Sequence, residues 1–195
     1  MNREIFYTEI NKLLFNGRMN SSQKSGINFK LDAFAQIGIK DLRWIAYMLA
    51  TSFHETAFTM QPIEEIGKGV GRAYGRKIKH SRQPYTHPDK IYYGRGDVQL
   101  TWYENYELMG KLLNIPLLEQ PELALNPEIS ARIMIEGMTK GKSNRGDFTG
   151  VSLEIYFNSY KDDPINARRI INGLDQANKI AGYHYKFLNA IKKAS

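Results

Sequence analysis

The chain has 195 residues, 42% hydrophobic and 24% charged, a balance that argues for a packed globular fold and against disorder. It has no cysteine, which excludes disulfides, thiolate catalysis and zinc–sulfur sites, and its net charge of +7 favours an anionic partner. The opening Met1-Asn2-Arg3-Glu4-Ile5 lacks the apolar core of a secretion signal, and no apolar run approaches membrane-spanning length, so the expectation is synthesis and folding in the cytoplasm.

Ile5, Phe6, Ile10, Leu13 and Leu14 recur at helical spacing and predict an amphipathic helix over the first fifteen residues, ended by Asn16-Gly17. A second helix is expected from Ser21 or Ser22, turning Ile27, Leu31, Phe34 and Ala35 inward and closing at Gly38. Asp41 suits the N-cap of a third, whose buried stripe is Leu42, Ile45, Ala46, Leu49 and Phe53. Glu55 follows that stripe at a helix C-terminus, where apolar surroundings and the helix dipole both disfavour the ionised form.

Between 62 and 101, Gly67, Gly69, Gly71, Gly75, Gly94 and Gly96 with Pro84 and Pro88 break any long helix. Short strands or extended loops are expected there, forming a small lobe on one side of a cleft. Helical periodicity returns over 102–113, then after Asn126-Pro127 with Ile129, Ile133, Met134 and Met138 inward. A polar loop spans 141–150, and short helical segments follow around Leu153 and after Asp162-Asp163-Pro164. Asp175 is expected to cap a last helix with Ile180, Tyr183, Tyr185, Leu188 and Ile191 inside and Lys179, Lys186, Lys192 and Lys193 outside. One mainly α domain over 1–195 is the expectation, with the small β/loop lobe at about 62–101 and no separate wall-binding module.

His54-Glu55 fails as a zinc-protease motif because Phe58 stands where a second histidine is needed, and the four histidines show no ligand spacing. Neither a metal nor a cofactor is expected. Gly141-Lys142-Ser143 fails as a phosphate loop because Glu136 replaces the required glycine, and Arg145-Gly146-Asp147 reads as plain solvated loop. The carboxylates are more informative. Glu64 lies nine residues beyond Glu55 (64 − 55), far enough for the chain to turn and face it. Pro62, Ile63 and Ile66 hem in Glu64 and Glu65, and on extended backbone only one of the two can face Glu55, with the residues barely favouring Glu64. Gln99 and Thr101 alternate with Val98 and Leu100, which fits a strand showing a polar pair on one face. A hydroxyl and an amide beside a carboxylate could hold a water or a sugar hydroxyl; an ordinary half-exposed strand explains the pattern equally well. Two carboxylates flanking a polar cleft are the minimum apparatus for hydrolysing a glycosidic bond.

The segment His54-Glu55-Thr56, the run Tyr92-Tyr93-Gly94-Arg95-Gly96-Asp97-Val98-Gln99-Leu100-Thr101-Trp102 and the later Ile170-Ile171-Asn172-Gly173 together resemble the family-19 glycoside hydrolases. That family includes plant-type chitinases and lysozyme-like phage endolysins. Asp147-Phe148-Thr149-Gly150 and the stretches 153–158 and 167–174 look most like the bacterial and phage branch. The resemblance implies a lysozyme-like helical fold and an inverting mechanism. It places the general acid on Glu55, the general base on Glu64, the water-positioning hydroxyl on Thr101 and substrate contacts on Gln99, Asn105 and Asn172. Glu104 stands where plant chitinases carry a tyrosine near the sugar groove, which weakens the expectation of chitin.

The expected activity is therefore that of a phage-type endolysin, a muramidase cutting peptidoglycan between N-acetylmuramic acid and N-acetylglucosamine. It would be made in the cytoplasm of a host bacterium and act as a monomer in the periplasm or cell wall after release through a membrane hole. Its partner would be peptidoglycan glycan strands, with weak contact to anionic lipid through the basic C-terminal helix. A chitinase acting on N-acetylglucosamine polymers is the alternative. A basic non-enzymatic binder of glycan or nucleic acid, using the basic run 72–82, is a second; it shows no nucleic-acid motif and leaves Glu55, Glu64 and Thr101 unexplained.

Overall fold

The computed structural model describes residues 1–140 and 148–195; Gly141-Lys142-Ser143, Arg145-Gly146-Asp147 and most of the expected polar loop lie outside the described residues. Helix α1 (Arg3–Leu14) is capped by the Asn2 side chain and buries Phe6, Tyr7 and Ile10. Helix α2 (Ser21–Ile37) opens with a reciprocal Asn20–Gln23 capping box and closes on Gly38, whose left-handed φ of 85° favours glycine. Ala33, not Ala35, turns inward at its end. Helix α3 (Leu42–Glu55) is capped by Asp41 as expected. All residues from 46 to 53 are buried, so α3 is the central helix of the fold rather than a one-faced surface helix.

After the lobe come α4 (Tyr103–Leu113), α5 (Pro127–Met138), the one-turn α6 (Leu153–Tyr156) and α7 (Ala177–Ala194). Asn126 caps α5 with Pro127 in its first turn, the arrangement the sequence signals. Helix α7 packs against both α3 and α1 and closes the core around them. The architecture is mainly helical and lysozyme-like, with a two-stranded sheet.

That sheet is smaller than the sequence suggests. Strand β1 (Ile63–Glu64) pairs antiparallel with β2 (Arg95–Gly96), Glu64 opposite Arg95. The strand expected through 98–101 is instead a tight reversal, with Arg95 and Leu100 exchanging backbone hydrogen bonds of 3.1 and 2.8 Å. Left-handed backbone at Gly96 (φ 85°) and Gln99 (φ 52°) turns the chain too sharply for a strand. The alternation of burial survives: Val98 and Leu100 enter the core while Gln99 and Thr101 stay partly exposed.

A fully buried ion pair in the interior was not foreseen from the sequence. Lys30 Nζ lies 2.7 Å from Asp97 Oδ1, at 1% and 0% exposure. Lys30 also donates to the carbonyls of Met60 (2.8 Å) and Gly26 (3.2 Å). Asp97 accepts from Ser52 Oγ (2.9 Å) and Ser130 Oγ (2.8 Å). The network joins α2, α3 and α5 to the 95–100 reversal. Gly26 lets α2 come this close, since a Cβ there would sit 1.9 Å from the Met60 carbonyl oxygen.

Helix α7 departs from expectation twice. Asp175 does not cap it; Gln176 precedes the helix in a left-handed conformation with no side-chain cap. Tyr185 is exposed, and His184 points inward instead. The His184 ring stacks on Phe157 at 5.2 Å, and among the described residues neither of its nitrogens has a hydrogen-bond partner. Burial pushes its pKa down to about 4. An unfolded histidine titrates near about 6.5, so below that pH the unfolded chain takes up a proton the folded chain refuses, and stability falls until about pH 4. Replacing His184 by Phe should remove this loss. Thermal midpoints across that window are the check, and parallel curves for variant and parent would contradict it.

Candidate active site

A cavity of about 510 Å³ opens between the end of α3, the 95–100 reversal and the 171–172 segment. Glu55, Gln99, Thr101, Asn105 and Asn172 all line it, so five of the six residues proposed from sequence converge on one cleft. The sixth, Glu64, stands on β1 outside this lining.

Glu55 is the last residue of α3, and its Oε1 accepts from Arg168 Nη1 at 2.6 Å. Arg168 is only 3% exposed and is fixed in turn by its Nε, which donates to the Asp175 carbonyl at 2.9 Å. The apolar helix end expected for Glu55 is thus corrected. The 3-10 segment Asn166–Ile170 carries a buried guanidinium to the carboxylate. Beside it, burial lowers the pKa of His54, against the opposing charge of Glu55. His54 is the neutral neighbour of the carboxyl at neutral pH. Among the described residues, no group of three or more His, Asp or Glu side chains is placed to hold a metal.

The opposite wall is the reversal. Gln99 Nε2 donates to the carbonyls of Ile63 (3.0 Å) and Gly96 (3.2 Å), which locks its side chain. Gly94 leaves room for this: a Cβ there would lie 2.8 Å from Gln99 Oε1. Thr101 Oγ1 donates to the Gln99 carbonyl at 2.7 Å, which leaves the hydroxyl lone pairs to accept from a water. Asn105 Nδ2 donates to the Thr101 carbonyl at 2.8 Å, and the Asn172 backbone N–H donates to Arg168 O at 3.0 Å. Asn172 is therefore tied to the same segment that holds Glu55.

Glu64, on β1, and Glu65, just beyond it, engage different partners. Glu64 Oε1 accepts from Tyr93 Oη at 2.5 Å and its Oε2 pairs with Lys68 Nζ at 2.9 Å, with Arg95 Nε 3.9 Å away. The Tyr93 hydrogen bond first, then Lys68, hold its carboxyl below the usual carboxylate range, so it is ionised near neutral pH. Glu65 accepts from Tyr74 Oη (2.6 Å) and the Gly94 N–H (3.1 Å). Tyr74 lines the cleft, so Glu65 meets the cavity wall through that phenol. The side-chain partners of Glu64 are Tyr93, Lys68 and Arg95, which do not line the cavity; its strand neighbour Ile63 offers the carbonyl that holds Gln99.

Glu104 does not face the cleft. Its Oε1 accepts from the His80 backbone N–H at 2.6 Å, so it clamps the lobe to α4. The substitution that weakened the expectation of chitin is therefore no obstacle in the groove. Arg168, Tyr74, Arg72 and Trp102 belong to the site or its walls without having been assigned a role from sequence. Arg168 stands beside a second arginine, Arg169, so its burial had no signal in the sequence.

A polar cleft among helices with a fixed carboxyl at one edge is an arrangement that a glycoside hydrolase can use. The profile of glycoside hydrolase family 19, described as chitinase class I, matches residues 30–170, and the chain belongs to that family. A basic endochitinase, CHB4, of Brassica napus is 44% identical over 91 residues, 46% of this chain and 32% of that protein. An endochitinase of Arabidopsis thaliana is 39% identical over 89 residues, 45% of this chain and 29% of that one. The match thus spans about a third of the length of these curated relatives. Among solved structures, a bacterial family 19 chitinase superposes with a TM-score of 0.60 at 21% identity, covering 96% of this chain and 93% of that chain. Chitinase C from Streptomyces griseus superposes with a TM-score of 0.59 at 22% identity, covering 96% and 75%. These likenesses confirm the fold. They also correct the substrate reading: the relatives and neighbours are chitinases, and the peptidoglycan endolysin expected from the phage-like segments is set aside.

Proposed function

We propose that the chain is a chitinase that hydrolyses N-acetylglucosamine polymers with inversion at the anomeric carbon. The observation that carries this reading is the meeting of Glu55, Gln99, Thr101, Asn105 and Asn172 in one open cleft of a family 19 chain. Glu55 is the general acid. Arg168 donates to Oε1 and orients the carboxyl, so Oε2 is the oxygen assigned to the leaving group. Glu64, kept ionised by Tyr93 and Lys68, is the general base. Thr101 aims the water, and the amides of Gln99, Asn105 and Asn172 hold the sugar. An inverting pair needs a separation of about 6.5–9.5 Å to admit that water.

The base has a close rival in Glu65. Glu64→Gln should lower turnover about 10²–10⁴-fold, whereas Glu65→Gln should act more mildly by loosening Tyr74. Turnover of both variants on chitin oligomers decides the matter, and a larger loss in Glu65→Gln would move the base to that residue. The substrate itself is tested by product analysis: chitin oligomers should be cut to shorter oligomers. Intact oligomers after prolonged incubation with folded protein would overturn the reading.

A further inference from the structure

We propose that the lobe beside the cleft docks on an anionic phospholipid surface. The chain's charge is concentrated there. The lobe over 62–101 holds eight Lys and Arg against Glu64, Glu65, Asp89 and Asp97, so it carries +4 of the formal +7. Arg76 and Arg82 are exposed, and among the described residues neither has an acidic partner within 4.0 Å. A charge run alone is usually a solvated face.

What separates this one is its apolar tip. Ile66 is 99% exposed and Val70 87%. The tip is built rather than loose: Lys68 N donates to Glu65 O (3.2 Å) and Val70 N to Gly67 O (2.9 Å). Glycines 67, 69 and 71 supply left-handed φ values of 86°, 83° and 75° that make such consecutive turns possible. Val70 and Arg76 border the same shallow cavity, so the exposed aliphatic tip stands close to an exposed guanidinium, which matches an interface with apolar chains below and phosphates above.

A soluble polyanion would use the charges and leave the aliphatic tip without purpose. The C-terminal helix fits the role less well. The apolar face of α7, including Ile180, Phe187, Leu188 and Ile191, is packed into the core, which leaves its lysines outside with Tyr185 as the one large apolar side chain among the exposed residues. Membrane contact thus moves from the helix expected by sequence to the lobe. Because Arg72 of this lobe also lines the cleft, docking would hold the cleft mouth close to the surface.

The test is co-sedimentation with vesicles of phosphatidylcholine, alone or with phosphatidylglycerol added, across a salt series. The protein should bind the anionic vesicles only, and less as salt rises. Arg76→Gln/Arg82→Gln should weaken binding about thirtyfold, given about 1 kcal/mol per basic residue near such a surface. Ile66→Ser/Val70→Ser should weaken it at least about tenfold, by removing apolar burial. Thermal midpoints of both variants should stay at the parent value. Absence of binding to anionic vesicles overturns the proposal. So does undiminished binding of the serine variant, which would indicate a partner read by charge alone. Undiminished binding of the glutamine variant overturns it too, by placing the contact elsewhere.

Discussion

Glu55→Gln should lower turnover on chitin oligomers about 10²–10⁴-fold, the usual contribution of a positioned general acid. It should do so with little loss of stability. The amide keeps the shape of the carboxyl and still offers an oxygen to the buried Arg168, so the guanidinium stays hydrogen-bonded. What it lacks is the transferable proton. Glu55→Ala is a different perturbation, because it strips Arg168 of its acidic partner and should cost stability as well. Comparing kcat and thermal midpoints of the two variants separates chemistry from scaffolding. A Glu55→Gln enzyme with near-parental kcat would remove Glu55 from the mechanism.

The second large effect is structural and reaches the site. Asp97→Ala leaves Lys30 charged and without its acidic partner in the interior, and should cost about 3–5 kcal/mol of unfolding free energy. Lys30→Met/Asp97→Leu removes both charges and should recover much of that loss, because well-packed apolar replacements of a buried pair are often neutral. It should not recover full turnover. Ser52, in the last turn of α3, donates to Asp97, so this contact links the helix that ends in Glu55 to the reversal that presents Gln99 and Thr101. Urea denaturation measures the first effect and kcat on folded protein the second. An Asp97→Ala loss below about 1 kcal/mol would mean that the pair contributes little.

The helices were legible because local chemistry marks their ends. Asp41, Asn126-Pro127 and Gly38 each satisfy or terminate backbone groups in a way only a few residue types allow. The site was legible where the His54-Glu55-Thr56 segment and the glycine-punctuated 92–102 run converge, as Glu55, Gln99 and Thr101 show. The buried charges were not, since each needs a partner far along the chain. Lys30 lies three residues after Ile27 and four before Phe34, squarely on the inward stripe of α2, yet nothing nearby names Asp97 as its partner. Arg168 is 113 residues from Glu55 and arrives on a 3-10 turn with no strong periodicity. On α7, the stripe Ile180, His184, Leu188 and Ile191 has the right period, and hydropathy alone misassigned its polar member. The 95–100 reversal misled because two residues with left-handed backbone can mimic the alternation of a strand. The substrate misled because the phage-like segments and a net charge of +7 together suggested an anionic wall polymer. Most of that charge sits on the neighbouring lobe.

The most direct measurement of the central claim is the anomeric form of fresh product when the protein cuts a chitin hexasaccharide, followed by proton NMR before mutarotation. An acid at Glu55 and a base that activates water from the far side yield the α-anomer first, with the β-anomer growing in later. β-anomer at the earliest times, or no cleavage by folded protein, would contradict the account.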